Sequence, residues 1–265
     1  MSTRSSPTPE ELREWLDVAV DAAWRAGRVT LAYFQTGLRP ETKADGSPVT
    51  VADREAERFL RTHLAARYPG HSLVGEEMGA DEKPSPYRWW IDPIDGTQSF
   101  VHGVPLYGVL LGLEVDGTPT VGVAHFPALD ETYAAAPGTG CLWNGRRSHV
   151  STVESLAGAL VAYTHPRPTT SDAAVAGWSR VCRAAKAARG WSDCYGHCLV
   201  ATGRADVMLD LAMNPWDSAA LVPLLREAGG TFTDWRGRDT IHGGNAVSTN
   251  GVLLDSVLKA LDATA

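Results

Sequence analysis

The sequence predicts a layered α+β and α/β protein, and three observations carry that expectation. Up to about residue 140, two helical stretches precede runs of Val-, Leu- and Gly-rich strands, the pattern of helices packed on a mainly antiparallel sheet. Beyond residue 140, short apolar strands alternate with helices, the pattern of a layered α/β half. The chain has 265 residues and is 44% hydrophobic, enough for one large domain or two closely packed ones. The expected division is a disordered tail over residues 1–8, an N-terminal α+β half over 9–140 and a C-terminal α/β half over 141–265.

The elements follow in order. Thr8-Pro9-Glu10-Glu11 is a helix start: Thr8 caps, Pro9 suits the first helical position and Glu11 completes a capping box. Apolar residues recur at helical spacing from Leu12 to Phe34, and Gly37 ends the run. Asp45-Gly46 signals a turn between short extended pieces. Thr50 caps a second helix, with Ala52, Ala56, Phe59, Leu60 and Leu64 on its buried face and Pro69-Gly70 at its end. Residues 72–75 read as a strand that delivers Glu76-Glu77. A polar loop over 78–87 leads to a strand over 88–92. Residues 106–115 and 120–126 pair around Asp116-Gly117, and 131–136 add a third strand. In the second half, strands are expected at 159–163, 190–193, 205–209, 231–234 and 246–249. Helices are expected at 171–188, 194–202, 215–228 and 252–261, with Gly229-Gly230 ending the third.

Composition excludes several classes. The net charge is −7 and no Lys/Arg block stands out, so no nucleic-acid footprint is present. No apolar run reaches the length of about 18 residues that spans a membrane. The first residues are polar and lack an apolar signal core, the expectation for a cytoplasmic protein. Cys141, Cys182, Cys194 and Cys198 form no CxxC pair and read as reduced thiols in or near a core. The eight histidines are scattered, and none is assigned to metal.

The chemistry is expected around Trp89-Trp90-Ile91-Asp92-Pro93-Ile94-Asp95-Gly96-Thr97. Asp92 and Asp95 follow a buried strand and flank Pro93, which restricts the backbone at and before itself. Both carboxylates can converge, with the Ile94 carbonyl between them. Glu76 ends another apolar strand. Asp217 follows Pro215-Trp216 at a helix start, where a carboxylate also suits the helix dipole. Together these are hard oxygen ligands without the His or Cys that zinc favours, a set suited to Mg²⁺.

Gly75-Glu76-Glu77, Asp92-Pro93-Ile94-Asp95-Gly96-Thr97 and Trp216-Asp217-Ser218-Ala219-Ala220 resemble the signatures of the inositol monophosphatase family of Mg²⁺-dependent, lithium-sensitive phosphatases, in the family's order. The resemblance implies a five-layer αβαβα sandwich, a homodimer, and two or three Mg²⁺ ions held by Glu76, Asp92, Asp95, the Ile94 carbonyl and Asp217. It further implies that the Gly96 and Thr97 amides hold phosphate and that the Thr97 hydroxyl orients the attacking water. Asp53 matches a secondary acid of the family, and is also read as the capping-box partner of Thr50. Lys43 matches a lysine near the metal loop, and is equally read as an exposed loop lysine. Hydrolysis of a phosphate monoester by a metal-activated water is the mechanism that fits these groups.

The alcohol is read from the second half. Val200-Ala201-Thr202-Gly203-Arg204-Ala205-Asp206 resembles a run of the same family. Asp210 stands where inositol-specific members carry a glutamate. The wording around Trp191-Ser192-Asp193-Cys194-Tyr195-Gly196 and Met213-Asn214-Pro215-Trp216-Asp217 resembles the histidinol-phosphatase branch. Histidinol phosphate carries an ammonium and an imidazole, which Asp193 and Asp210 would pair with and Asn214 would hydrogen-bond. Asp193 is also read as a helix cap, and Asp210 as a solvated strand end. The expected substrate is therefore this small phosphate ester. An inositol monophosphatase or broader sugar or nucleotide phosphatase is the alternative within the family, and a non-catalytic partner-binding member is the alternative of another class.

Overall fold

The computed structural model describes residues 6–43, 48–167 and 170–262. The expected Asp45-Gly46 turn and most of the expected N-terminal tail lie outside these residues. The larger sheet has eight strands, in the spatial order Arg146–Ser148, Cys141–Trp143, Glu131–Ala135, Thr118–Phe126, Gly108–Val115, Tyr87–Asp95, Ser72–Gly75, Gly79–Asp81. Every neighbouring pair is antiparallel except Ser72–Gly75 with Tyr87–Asp95, which run parallel. The second sheet has five strands, in the order Ala187–Arg189, Leu160–Tyr163, Val207–Asp210, Ala246–Thr249, Thr231–Thr233.

Alternation along the strands sorts side chains between layers. Trp89, Ile91, Val109, Leu111 and Leu113 face the first two helices, Pro9–Leu31 and Val51–Arg67. Alanines at 19, 22, 23 and 26 let the first helix lie close to the sheet. Trp90 and Leu110 face the other way, into a core shared with the helices Asp193–Ala201 and Leu221–Glu227, which fill the space between the sheets. Val161, Val207, Leu209 and Val247 face outward from the second sheet, onto the helices Asp172–Ala184 and Leu254–Asp262. The five-layer αβαβα order follows.

Two glycines set how closely the middle layer approaches the larger sheet. Gly112 and Gly122 are cross-strand partners. A Cβ at Gly112 would lie 2.7 Å from Ala219, and one at Gly122 would collide with the Ala220 carbonyl and approach Pro223 to 2.6 Å. The backbone leaving the short helix Pro215–Ser218 thus rests directly on the sheet backbone.

The structure departs from the expected elements where local chemistry competes. The first helix stops at Leu31, because Phe34 turns in to pack on Phe100 and Tyr107. The expected helix over 215–228 divides into Pro215–Ser218 and Leu221–Glu227, since Pro223 has no N–H to donate to the Ala219 carbonyl. The strand expected at 190–193 lies instead at Ala187–Arg189, and Asp193 takes a left-handed φ of 58° at the start of the next helix. The loop expected at 78–87 contains the short strand Gly79–Asp81. Hydrogen-bonded pairing in the larger sheet continues past residue 140 to Ser148 through the hairpin Cys141–Trp143 and Arg146–Ser148. Among the described residues, no helix is long and apolar enough to cross a membrane.

Candidate active site

Strand Tyr87–Asp95 carries the first two carboxylates. Its ladder with Gly108–Val115 pairs Asp92 with Leu110 and then Asp95 with Gly108, so one extra residue is accommodated between them. Pro93 lies in this bulge, where it donates no ladder hydrogen bond. The Ile94 N–H donates to Asp92 Oδ1 at 3.0 Å, and the Thr97 hydroxyl donates to the Ile94 carbonyl at 3.2 Å. Gly96, at φ 83°, reverses the chain into the short helix Thr97–Val101. Here glycine is needed twice over, because a Cβ would also come within 3.1 Å of Asp193 Oδ2.

Asp217 arrives from the middle layer, on Pro215–Ser218, with its Oδ2 accepting from the Asn214 N–H at 2.7 Å. Oxygens of Asp92, Asp95 and Asp217 all lie within 4.8 Å of one another. Helix Asp193–Ala201 also reaches the cluster from the middle layer, where the Cys194 N–H donates to Asp95 Oδ2 at 2.6 Å. Glu76 follows strand Ser72–Gly75, its N–H donating to the Ile91 carbonyl at 3.2 Å.

Crowding of like charge is the main electrostatic fact. Burial raises Asp92 well above the usual carboxylate range, and the charges of Glu76, Asp95 and Asp217 raise it further. Burial and the charges of Asp193 and Asp217 raise Asp95 likewise. Asp217 is pushed up to about 7, chiefly by burial. Among the described residues, no Lys or Arg forms an ion pair with these three acids. A compact set of carboxylates, Asp92 buried and Asp95 and Asp217 half-buried, without a counter-charge fits a hard divalent cation.

The three acids line a cavity of about 410 Å³. Glu76, Ile94, Gly96, Thr97, Thr164, Arg167, Asp193, Asp210 and Asn214 line it with them. Asp210 is buried, with Oδ2 accepting from the Thr164 hydroxyl at 2.8 Å and Oδ1 from the Ala212 N–H at 3.3 Å. Burial and the Asp193 charge push it up to about 7. The Asp193 N–H donates to Thr164 Oγ1 at 3.1 Å, so one hydroxyl links both acids. Asn214 lies at the rim, its Nδ2 3.4 Å from Asp217 Oδ2.

Two expected residues stand outside this cavity lining. Asp53 is fully buried, and its Oδ2 accepts from the Thr50 N–H at 2.8 Å and the Thr50 hydroxyl at 2.6 Å: the capping geometry is present. Its Oδ1 has no hydrogen-bond partner among the described residues. Lys43 Nζ reaches Glu76 Oε1 at 2.7 Å and Glu77 Oε1 at 2.5 Å. Burial alone would lower the Lys43 pKa, but the two carboxylates outweigh it and hold the lysine above its usual range.

Sequence pattern alone does not point to Thr164 or Arg167. Thr164 follows strand Leu160–Tyr163, and the carboxyl end of a parallel strand is a general ligand position. Arg167 carries no such sequence signal.

Comparisons with known proteins give the chain's relatives. The sequence profile described as the inositol monophosphatase family matches residues 11–265. A histidinol-phosphatase of Chlorobaculum parvum is 44% identical over 250 residues, covering 93% of this chain and 96% of that one. A histidinol-phosphatase of Mycobacterium tuberculosis is 38% identical over 260 residues, covering 94% and 98%. The crystal structure of the extragenic suppressor protein SuhB from Bartonella henselae superposes with a TM-score of 0.90 at 29% identity, over 95% of this chain and all of that one.

Proposed function

The chain belongs to the inositol monophosphatase family of metal-dependent phosphatases, and from that premise we propose that it is a Mg²⁺-dependent phosphatase of L-histidinol phosphate. The observation that carries the reading is the composition of one cavity: its lining holds the cluster of Asp92, Asp95 and Asp217 and two further acids, Asp193 and Asp210. The first group suits a cation and a phosphate. The second suits an alcohol that is itself cationic. The identity shared with histidinol-phosphatases supports the same assignment.

Glu76, Asp92, the Ile94 carbonyl, Asp95 and Asp217 are the groups that would hold Mg²⁺. When bound, Mg²⁺ neutralises the phosphate dianion, makes a water more acidic and stabilises the leaving alkoxide. The chain's own groups do the rest. The Gly96 and Thr97 amides, at the reversal into helix Thr97–Val101, bind phosphate oxygens. The Thr97 hydroxyl orients the attacking water, and Glu76, steadied by Lys43, accepts its proton. Asp53 stiffens the start of its helix and lies close enough to Glu76 for the two charges to interact. Asp210 and Asp193 take the substrate ammonium, and Asn214 takes a ring nitrogen. Thr164 holds the two acids in register for that contact.

The test is phosphate release from histidinol phosphate, inositol 1-phosphate, fructose bisphosphate and adenosine 3′,5′-bisphosphate, with and without Mg²⁺. Preference for the first, dependent on Mg²⁺, is the expected outcome. Equal rates on all four would remove the histidinol assignment, and no Mg²⁺-dependent release from any would point to a non-catalytic member.

A further inference from the structure

Glu57 is a fully buried acid that the chemistry above does not use. It lies on the second helix, one turn after Asp53. Its Oε2 accepts from the Glu77 N–H at 2.7 Å, and its Oε1 from the Met78 N–H at 3.1 Å and from Arg61 Nε at 2.7 Å. Arg61 also donates to the Gly79 carbonyl, on the same turn. Gly75 lies against this carboxylate so closely that any Cβ there would collide with it. The contacts therefore bracket Glu76, with residue 75 packed on Glu57 on one side and residues 77 and 78 bonded to it on the other. The Glu76 N–H is fixed separately to the Ile91 carbonyl. The backbone that directs Glu76 toward Asp92 thus rests on one carboxylate from another element.

The chemistry of Glu57 suits that task. A buried carboxylate is costly unless paired, and here a guanidinium and two amides satisfy it. Charge-assisted bonds to backbone N–H groups are shorter and stronger than neutral ones, so they hold the turn more tightly than an amide or hydroxyl side chain would. Lys43 cannot substitute, because it contacts the side-chain oxygens of Glu76 and Glu77 and leaves their backbone free.

We infer that Glu57 is a positioning residue: by clamping the backbone on both sides of Glu76 it sets the affinity of the carboxylate cluster for a divalent cation that it never touches. This rests on the reading of Glu76 as a cation ligand.

The test titrates Mg²⁺ into metal-free protein by calorimetry and measures Mg²⁺ half-saturation of phosphate release, for Glu57→Gln, Gly75→Ala and Glu76→Gln. In Glu57→Gln the amide NH₂ must face a backbone N–H, so one clamp is lost with little change in volume. Roughly 10- to 100-fold weaker Mg²⁺ binding is expected, the range found when groups behind a metal ligand are removed. The release rate at saturating Mg²⁺ should fall far less, and the melting temperature in EDTA should drop as Arg61 loses its charged partner, a loss of stability that by itself would leave Mg²⁺ affinity unchanged. Gly75→Ala lifts the turn off an intact Glu57 and should weaken Mg²⁺ in the same way, which decides the matter if Glu57→Gln fails to fold. A lower melting temperature with unchanged Mg²⁺ affinity in both variants would overturn the inference and leave Glu57 a structural residue. Unchanged Mg²⁺ affinity in Glu76→Gln would instead remove Glu76 from the cation site.

Discussion

The Cys194 N–H and the Asp95 carboxylate are 99 residues apart in sequence and 2.6 Å apart in space. One is on the first turn of a middle-layer helix, and the other ends a strand of the larger sheet. The bond ties the helix that carries Asp193 to the carboxylate cluster.

That bond makes Asp95→Asn a clean test of charge. The Asn carbonyl oxygen still accepts from Cys194, so the fold should persist. Turnover should drop well below a tenth of the parent, more than about 1.4 kcal/mol of barrier. Without metal, the variant should melt no lower than the parent, because one charge has left a crowded site. Circular dichroism melts in EDTA and a Mg²⁺-supplemented phosphate assay check both halves.

Asp210→Ala should raise KM for histidinol phosphate far more than for a small ester with an uncharged alcohol. Thr164→Val should act in the same direction but less, since it removes the hydroxyl that donates to Asp210 and leaves the carboxylate in place. Steady-state kinetics on both esters decide it; a parallel loss on the two would argue against an ammonium contact.

Gly122→Ala should loosen the site from a distance. Its Cβ meets the Ala220 carbonyl and Pro223 on the segment that follows Asp217. Overpacking of this kind costs about 1–3 kcal/mol, read by urea denaturation. Because the displaced backbone adjoins Asp217, Mg²⁺ half-saturation should rise as well. Stability loss with unchanged Mg²⁺ response would show that the short helix moves independently of its neighbours.

His197 is fully buried, and burial lowers its pKa to about 3. Its Nδ1 lies 2.7 Å from Ser248 Oγ. The unfolded chain, with a His pKa of about 6.5, takes up the proton first, so acidification from about 6.5 toward 3 destabilises the fold. The slope is at most about 1.4 kcal/mol per pH unit for this one group. His197→Asn removes the titration, and Asn can still bond Ser248. The parent's stability relative to the variant should therefore fall as pH drops through that window. A constant difference across denaturation curves at pH 4, 5, 6 and 7 would contradict it.

The legibility of the sequence differed from element to element for physical reasons. The first two helices were plain because Thr8 and Thr50 cap them and their apolar stripes are regular. The strand holding Asp92 and Asp95 was plain because an apolar run meets a proline flanked by two acids. The split at Ala219-Ala220 is hidden in the sequence because a helix period continues across it while Pro223 removes one bond. The short strands Cys141–Trp143 and Arg146–Ser148 are hard to read because three residues each carry too little alternation. Arg167 and Glu57 could not be read locally. One gains its place from a loop returning to the cavity rim, the other from a turn that only tertiary contact brings to it.

The gathering of Asp95 and Asp217 from separate layers has a consequence for the chain as a polymer. All four cysteines are free, so no disulfide cross-links one half to the other. A divalent ion held between those two carboxylates would close a long loop, the role a disulfide plays in other proteins, and longer loops gain more from closure. This tie would be reversible. Withdrawing the ion would leave the apolar layers stacked but return slack to the segments between them. Ionic conditions would then set the tension of the chain as well as the activity of the site.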